Sequence, residues 1–459
     1  MNKTISPLDN RYLDKIQPLL NYFSESSWIK YRINVELLYF KFLYNLIPKL
    51  QLKLNQNNLM KFLDIKSYST DTIITDIMEL EKITHHDIKS IEMALRYYYD
   101  IFKVGEPQYK EYIHFGLTSQ DINSVAFSLQ LRDCMKLCIQ PKIQCLFTQL
   151  KDKSVSWKNI TMMARTHGQG AIPTTLGKEM NVFIERLQYC FVRLEEFEYY
   201  TKIGGAVGSL AAHYLSYPKI DWVNELSHFC RNLGLKRWET TTQITNYEDI
   251  IELSQTLIRF NSILIDLCQD IWLYTNNNIF ILKKENENQV GSSTMPQKIN
   301  PIHFENAEGN LKLANMGLQF FCEKLSISRL QRDLTDSTVL RNYGVYIGHL
   351  LVALSSIENG LNKLQPNVEY IKEELESHPE ILGEAIQCLL RKHGIENSYE
   401  IVREILQGTH FLNIEDLKMK VLKKIKKNDI ISQQLENDIM KLEFDNYLGC
   451  FGSAFSKCC

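Results

Sequence analysis

Between Ile250 and Tyr274 apolar residues fall at Ile250, Leu253, Leu257, Phe260, Leu264, Leu267 and Ile271, with neither Gly nor Pro to interrupt them. Spacings of three and four over 25 residues are the period of one α-helix about seven turns long. Ile251, Ile258, Ile263 and Trp272 widen its apolar face beyond the stripe of a helix wet on one side, so burial on most sides is expected. Comparable stretches run from Ser119 to about Leu150, Leu176 to Tyr200, Pro301 to Leu325 and Ser337 to Leu361. Five helices of this length exceed the usual mean about twofold. With only 20 glycines and 11 prolines in 459 residues, the chain also lacks the turns that a many-stranded β fold consumes. The expected fold is all-α, three helical domains around a central bundle of long helices. Helices this apolar carry more greasy surface than one bundle covers, so a helical oligomer core is expected.

The domain boundaries expected are 1–114, 115–364 and 365–459, with polar loops near Asn55–Asn58 and Gly105–Pro107, and breaks at His378-Pro379 and Gly394. A length of 459 residues fits such a division. Lys plus Arg number 52 against 54 Asp plus Glu, which excludes a globally basic nucleic-acid binder. The basic run Lys418, Lys420, Lys423, Lys424, Lys426 and Lys427 has no interleaved aromatics and reads as a solvated helix face. Eleven cysteines, an odd number without a Cys-x-x-Cys pair, read as free buried thiols, with the Cys458-Cys459 pair unexplained. The first twenty residues hold no apolar signal core, and no run of about 18 apolar residues occurs. A soluble, cytoplasmic chain with no membrane and no nucleic-acid partner is expected.

Three segments carry chemistry. Gly291-Ser292-Ser293-Thr294-Met295-Pro296-Gln297-Lys298-Ile299-Asn300-Pro301 is a loop, with Asn300 suited to an N-cap and Pro301 to the first helical position. It offers hydroxyls, backbone N–H groups and one Lys to an anion. Thr166-His167-Gly168-Gln169 reads as a loop before a helix near Thr174, giving His167 access and a near-neutral imidazole. In Arg332-Asp333-Leu334-Thr335-Asp336-Ser337-Thr338-Val339-Leu340-Arg341, Asp336 as N-cap would put Ser337 and Arg341 on one face of a helix start, a phosphate-binding geometry. Each also has an ordinary reading as a connector, a structural histidine or a capped helix with an exposed Arg. His85-His86-Asp87 sits inside a helical pattern, where adjacent side chains point about 100° apart, so shared metal ligation is not expected. Thr118 and Ser119 follow a Gly-containing turn and face an anion as hydroxyls. Gly204-Gly205-Ala206-Val207-Gly208-Ser209 lacks the preceding strand and following Lys of a nucleotide loop.

Together these segments resemble the fumarase/aspartase superfamily, whose signature GSSxMPxKxNP is matched at every fixed position by Gly291–Pro301. Within it the chain is similar to the adenylosuccinate lyase family of bacterial type. That similarity runs from Ser6-Pro7-Leu8-Asp9-Asn10-Arg11-Tyr12, through Thr166–Gln169 and Gly177–Met180, to Arg332–Arg341, and fades over the last fifteen or so residues. The resemblance implies β-elimination of fumarate from adenylosuccinate and from the succinylated aminoimidazole carboxamide ribonucleotide, in a homotetramer whose active sites are shared between subunits, with no metal or organic cofactor. It implies Ser292 as the base, His167 as the general acid and Lys298 as stabiliser of the developing charge, with Glu305 orienting His167. The substrate-binding set it implies is Arg11, Tyr12, His85, His86, Asp87, Thr118, Ser119, Gln243, Ser293, Asn300, Asn306, Arg332, Ser337, Thr338 and Arg341. Gln297, Gly170 and His85 stand where that branch often has His, Pro and Asn. The alternatives are a lyase acting on argininosuccinate, which would leave Ser337, Arg341, Arg11 and Tyr12 without a phosphate, and a non-catalytic helical scaffold, which would have no need of His167, Ser292 and Lys298 together.

Overall fold

The computed structural model describes residues 4–283, 295, 297–426 and 432–449, and for 65–70 the backbone alone. Its elements are overwhelmingly helical, as the periodicity requires. The long helices span Glu25–Leu46, Ile65–Thr84, Leu176–Glu195, Glu248–Asn276, Ile302–Leu325 and Tyr343–Lys363. Helix also runs from Ser119 to Ser156, with a widened π turn at Met135–Ile139. That turn lies just ahead of Pro141, whose missing N–H and bulky ring remove a helical bond, and the extra residue relieves the clash. The last long stretch expected from Ser337 is in fact two helices, Thr335–Leu340 and Tyr343–Lys363. Among the described residues, strand is confined to three two-stranded pieces: the hairpin Thr161–Thr166 with Gln169–Thr175, a parallel pair Tyr200–Thr201 with Lys236–Arg237, and Phe280–Leu282 against Leu364–Pro366.

The chain divides into two compact units. The first comprises 1–143, 190–262 and 309–355, and the second 144–189, 263–308 and 356–459. In the first unit, Trp28 stacks on Phe127 at 5.7 Å, Phe127 meets Tyr343 edge-on, and Tyr343 meets Phe321 at 4.9 Å. A second aromatic knot, Phe40, Phe62 and Tyr99, uses edge-to-face contacts throughout. The second unit has one core around Trp157, Tyr274 and Phe280. Another in its C-terminal helices contains Leu382, Ile386, Leu390, Val421, Leu422 and Leu435.

The basic run is a solvated helix face at Lys423, Lys424 and Lys426, which are exposed, but Lys418 is an exception. Lys418 is buried, and its ammonium donates to Glu415, Glu443 and the Met440 carbonyl. Lys420, Lys424 and Lys426 pair with Asp416, Glu404 and Glu436, while Lys427 lies outside the described residues. Apolar periodicity detects which face a lysine occupies but not whether a carboxylate from another helix will meet it. Five of the eight described cysteines are buried, and all eight are free. No helix among the described residues is long and apolar enough to cross a membrane.

Candidate functional site

Within the first unit a cavity of about 370 Å³ is walled by His85, His86 and Asp87, the start of the Ser119 helix, Thr245–Ile250 and the segment Arg332–Arg341, with Trp28 and Phe127 among its apolar lining. Cavities of this size hold small ligands. Eight of the expected residues line it, His85, His86, Asp87, Ser119, Arg332, Ser337, Thr338 and Arg341, while Thr118 is the N-cap on which Ser119 stands.

The histidine pair is not inside a helix. The helix Ile65–Thr84 ends with His85 at φ +52, and His86, in extended conformation, caps the next helix, Asp87–Ile101. The imidazole of His86 accepts the Lys89 N–H at Nδ1, 3.1 Å away, which leaves the proton of the neutral ring on Nε2. That nitrogen faces the Ser119 hydroxyl at 3.4 Å. Asp87 forms an ion pair with Arg32 at 3.0 Å and accepts from Arg341 at 3.2 Å and from the Ile88 N–H at 2.8 Å. Burial alone would raise its carboxyl, but Arg32, this N–H and Arg341 outweigh it and hold Asp87 below the usual carboxylate range.

The Ser119 hydroxyl owes its position to a buried anchor. Thr118 is the N-cap, and its N–H donates to Asp121 at 2.8 Å. The same carboxylate accepts the N–H groups of Gly204 at 2.8 Å and Gly205 at 3.1 Å, and pairs with Lys202 at 2.7 Å. Both side chains of that pair are 0 % exposed. The Lys202 ammonium also donates to the Gly205 carbonyl, so the glycine-rich segment clamps the turn. Ahead of it, Gly116 has φ +70, and a Cβ there would lie 2.6 Å from the His213 ring. His213 is fully buried and hydrogen-bonded to the Tyr39 hydroxyl at 2.8 Å, and burial lowers its pKa to about 4.

In the third segment the expected cap is displaced. The N-cap of the helix Thr335–Leu340 is not Asp336 but Leu334, which offers no side-chain cap; Asp333, one residue earlier, accepts the Thr335 N–H at 2.8 Å. Asp336 is buried and accepts from the Tyr247 hydroxyl at 2.6 Å. The shift leaves Ser337 in the first turn and Arg341 at the C-terminal end of a six-residue helix. Gln120, itself buried, donates to Ser337 at 2.9 Å. Arg332 donates to Gln243 at 2.9 Å, and the Gln243 amide reaches the Ala206 carbonyl, placing Gln243 beside the cavity wall rather than in it. Arg11 and Tyr12, in the turn after Pro7–Asp9, do not line the cavity.

The second unit carries the other candidates. His167 and Gly168 form the tip of the hairpin, with φ of +54 and +75, the positive pair of a type I′ turn. His tolerates this left-handed region better than most residues, and here it is exposed. The expected loop before a helix near Thr174 is therefore a strand, and the helix starts at Leu176. Gly170 lies in the ladder opposite Arg165, so it does not loosen the turn. Lys298 is exposed, and Asn300 precedes a helix whose first turn closes on the Pro301 carbonyl, one residue later than the cap expected. Glu305 accepts from Trp272 at 3.1 Å, and Asn306 accepts from Ser356 at 2.9 Å. His167, Lys298, Asn300, Glu305 and Asn306 do not line the cavity of the first unit, and Ser292 and Ser293 lie outside the described residues. No cluster of three metal-ligating side chains occurs among the described residues.

Residue-level pattern missed Arg32, Gln120, Asp121, Asn123 and Lys202. One signal was available: Thr118-Ser119-Gln120-Asp121 is a capping-box pattern. Another is that Arg32 interrupts the apolar stripe Trp28, Ile29, Ile33 and Leu37.

A family model described as "Lyase" matches residues 10–315, and one described as "Adenylosuccinate lyase C-terminal" matches 328–448. The chain is 44% identical over 411 residues to a protein named adenylosuccinate lyase from Dictyostelium discoideum, covering 87% of each. It is 40% identical over 410 residues to one so named from Escherichia coli strain K12, covering 88% of each. One from Legionella pneumophila strain Corby is 40% identical over 451 residues, 97% of this chain and 96% of that one. Among solved structures, a fumarate lyase from Mesorhizobium sp. BNC1 superposes with a TM-score of 0.74 at 21% identity, covering 97% of each chain, which speaks to the fold.

Proposed function

The chain belongs to the adenylosuccinate lyase family and is a lyase, and on that premise we propose that it eliminates fumarate from adenylosuccinate, leaving AMP, and likewise from the succinylated aminoimidazole carboxamide ribonucleotide. The observation that carries the reading is the composition of the cavity wall. Arg332, Arg341, Ser337 and Thr338 suit a phosphate, while Ser119 and the Nε2–H of His86 suit a carboxylate. Thr118, Gln243, His85, Asp87, Arg11, Tyr12 and Asn306 complete the binding set we assign.

Elimination needs a base on the carbon beside a carboxylate and an acid on the departing purine nitrogen. We assign these to Ser292 and His167, with Lys298, Asn300 and Ser293 on the developing charge and Glu305 supporting His167. A serine acts as a base only where its oxyanion is stabilised, which fixed N–H groups and a Lys supply in a closed site. Fixed charge and positioning suffice for this chemistry, so we assign no cofactor.

His167, exposed at a hairpin tip, is open to residues of another subunit, which supports sites assembled from several subunits. So do Trp272, Leu273, Met316 and Phe320, exposed on long helices of a single chain. We therefore propose a homotetramer, a cytoplasmic location, and the division 1–114, 115–364 and 365–459.

The test is fumarate release from adenylosuccinate and, as control, from argininosuccinate. Release from the first alone supports the reading; release from the second alone, or from neither, refutes it.

A further inference from the structure

Arg32 lies in the cavity wall, yet the substrate assignments above leave it without a task. It projects from the helix Glu25–Leu46 and is 3% exposed. Three of its features are accounted for. Nε donates to Asn123 at 2.8 Å, Nη2 pairs with Asp87 at 3.0 Å, and the guanidinium lies over the Trp28 ring at 5.0 Å. Nη1 is buried and has no hydrogen-bond partner among the described residues.

An unused donor on a desolvated cation is unfavourable unless something completes it. The surroundings do not neutralise it fully. Asp87 is divided between Arg32 and Arg341, and the wall sets three arginines, Arg32, Arg332 and Arg341, against only Glu81 and Asp87. Asn123 and Asp87 hold the planar fork from two sides, which fixes the direction of the remaining edge; because Nη1 is itself buried, the wall beside it has to give way for an oxygen to reach it.

We propose that Arg32 is a further substrate-binding residue, its free Nη1 edge receiving an anionic oxygen of the substrate. That oxygen is a phosphate or a carboxylate oxygen. The inference rests on the elimination reaction proposed above. Arg32 does no proton transfer; it holds one end of the substrate, so its loss falls on KM.

Arg32→Met and Arg32→Lys are compared with the wild-type chain for KM and kcat on adenylosuccinate, and for inhibition by inorganic phosphate and by succinate. Losing a charge-assisted hydrogen bond predicts a KM raised about 10- to 100-fold in Arg32→Met, with kcat within about threefold. Arg32→Lys raises KM at least about fivefold, because one ammonium cannot serve Asn123, Asp87 and a ligand together. Weakened phosphate inhibition assigns the oxygen to the phosphate, and weakened succinate inhibition assigns it to a carboxylate. An unchanged KM overturns the proposal, as does a raised KM with both inhibition constants unaltered, which would mean that Arg32 only braces Asp87. Should Arg32→Met fail to fold, Arg32→Lys decides by the same readouts. A wild-type chain that releases no fumarate would sink the reaction itself, whereas an active wild type with an unchanged variant KM sinks only the role of Arg32.

Discussion

Replacing Asp121 by Asn keeps the side chain's shape and removes its charge, leaving the Lys202 ammonium 0 % exposed with no carboxylate. At 2.7 Å and an effective dielectric of about 20, the pair's gross attraction is about 6 kcal/mol. Desolvating both ions costs several kcal/mol each, so the intact pair contributes little net stability. Breaking it is another matter, because the Lys202 desolvation cost stays while the attraction goes. A loss of about 3–5 kcal/mol is expected for Asp121→Asn. The N–H groups of Thr118, Gly204 and Gly205 then face an amide in place of a carboxylate. Lys202→Met should cost a comparable amount, and the double variant should recover at least about 2 kcal/mol relative to additivity. Urea denaturation of all four proteins, followed by circular dichroism, measures the cycle. Ser119 stands on this turn, so KM for adenylosuccinate should rise in Asp121→Asn even well below the unfolding transition. If Asp121→Asn and Lys202→Met are each within 1 kcal/mol of wild type, on the order of an ordinary surface change, or if their effects simply add, the pair is not what holds the turn.

Two further outcomes are expected. His213 has a folded pKa of about 4 against 6.5 unfolded, with Asp121 opposing and Arg237 adding to the burial effect. The unfolded chain therefore takes the proton first, and stability falls as pH drops from 6.5 towards 4, by about 3 kcal/mol in all. His114 beside Glu36 has a raised pKa, so its contribution runs the other way, present below 6.5 and lost as pH rises. The quantity to compare is thus the slope of stability against pH for wild type and His213→Gln; equal slopes would refute the assignment. His167→Ala should lower kcat by about 10²–10⁴ with an unchanged melting temperature, since the side chain is exposed at a turn. Mixed with Ser292→Ala and allowed to exchange subunits, it should regain activity, and no recovery despite proven exchange would count against shared sites.

How much of this was legible from residues alone varies with the range of the interaction. Helices such as Glu248–Asn276 follow the apolar period to within a few residues of the expected ends, because that period is local and sums over many turns. The His167 hairpin was missed, since Thr161–Thr175 carries no clean alternation and its positive-φ turn uses His where Asn is the usual mark. His85-His86 was misplaced for a related reason. Both neighbours are helical, and the break rests on one left-handed residue and an imidazole acting as a cap.

Taken by itself the sequence determined the helical class, the signature Gly291–Pro301 and the chemical types available, hydroxyls, imidazoles and guanidinia, because these depend on local period and residue identity. Only the tertiary structure decided that Asp121 and Lys202 meet fully buried, that Asp87 serves two arginines at once, and that Arg32 keeps one buried edge unspent among the described residues. Those facts join side chains from segments far apart in the chain, and the strength of a charge depends on what else has been buried beside it.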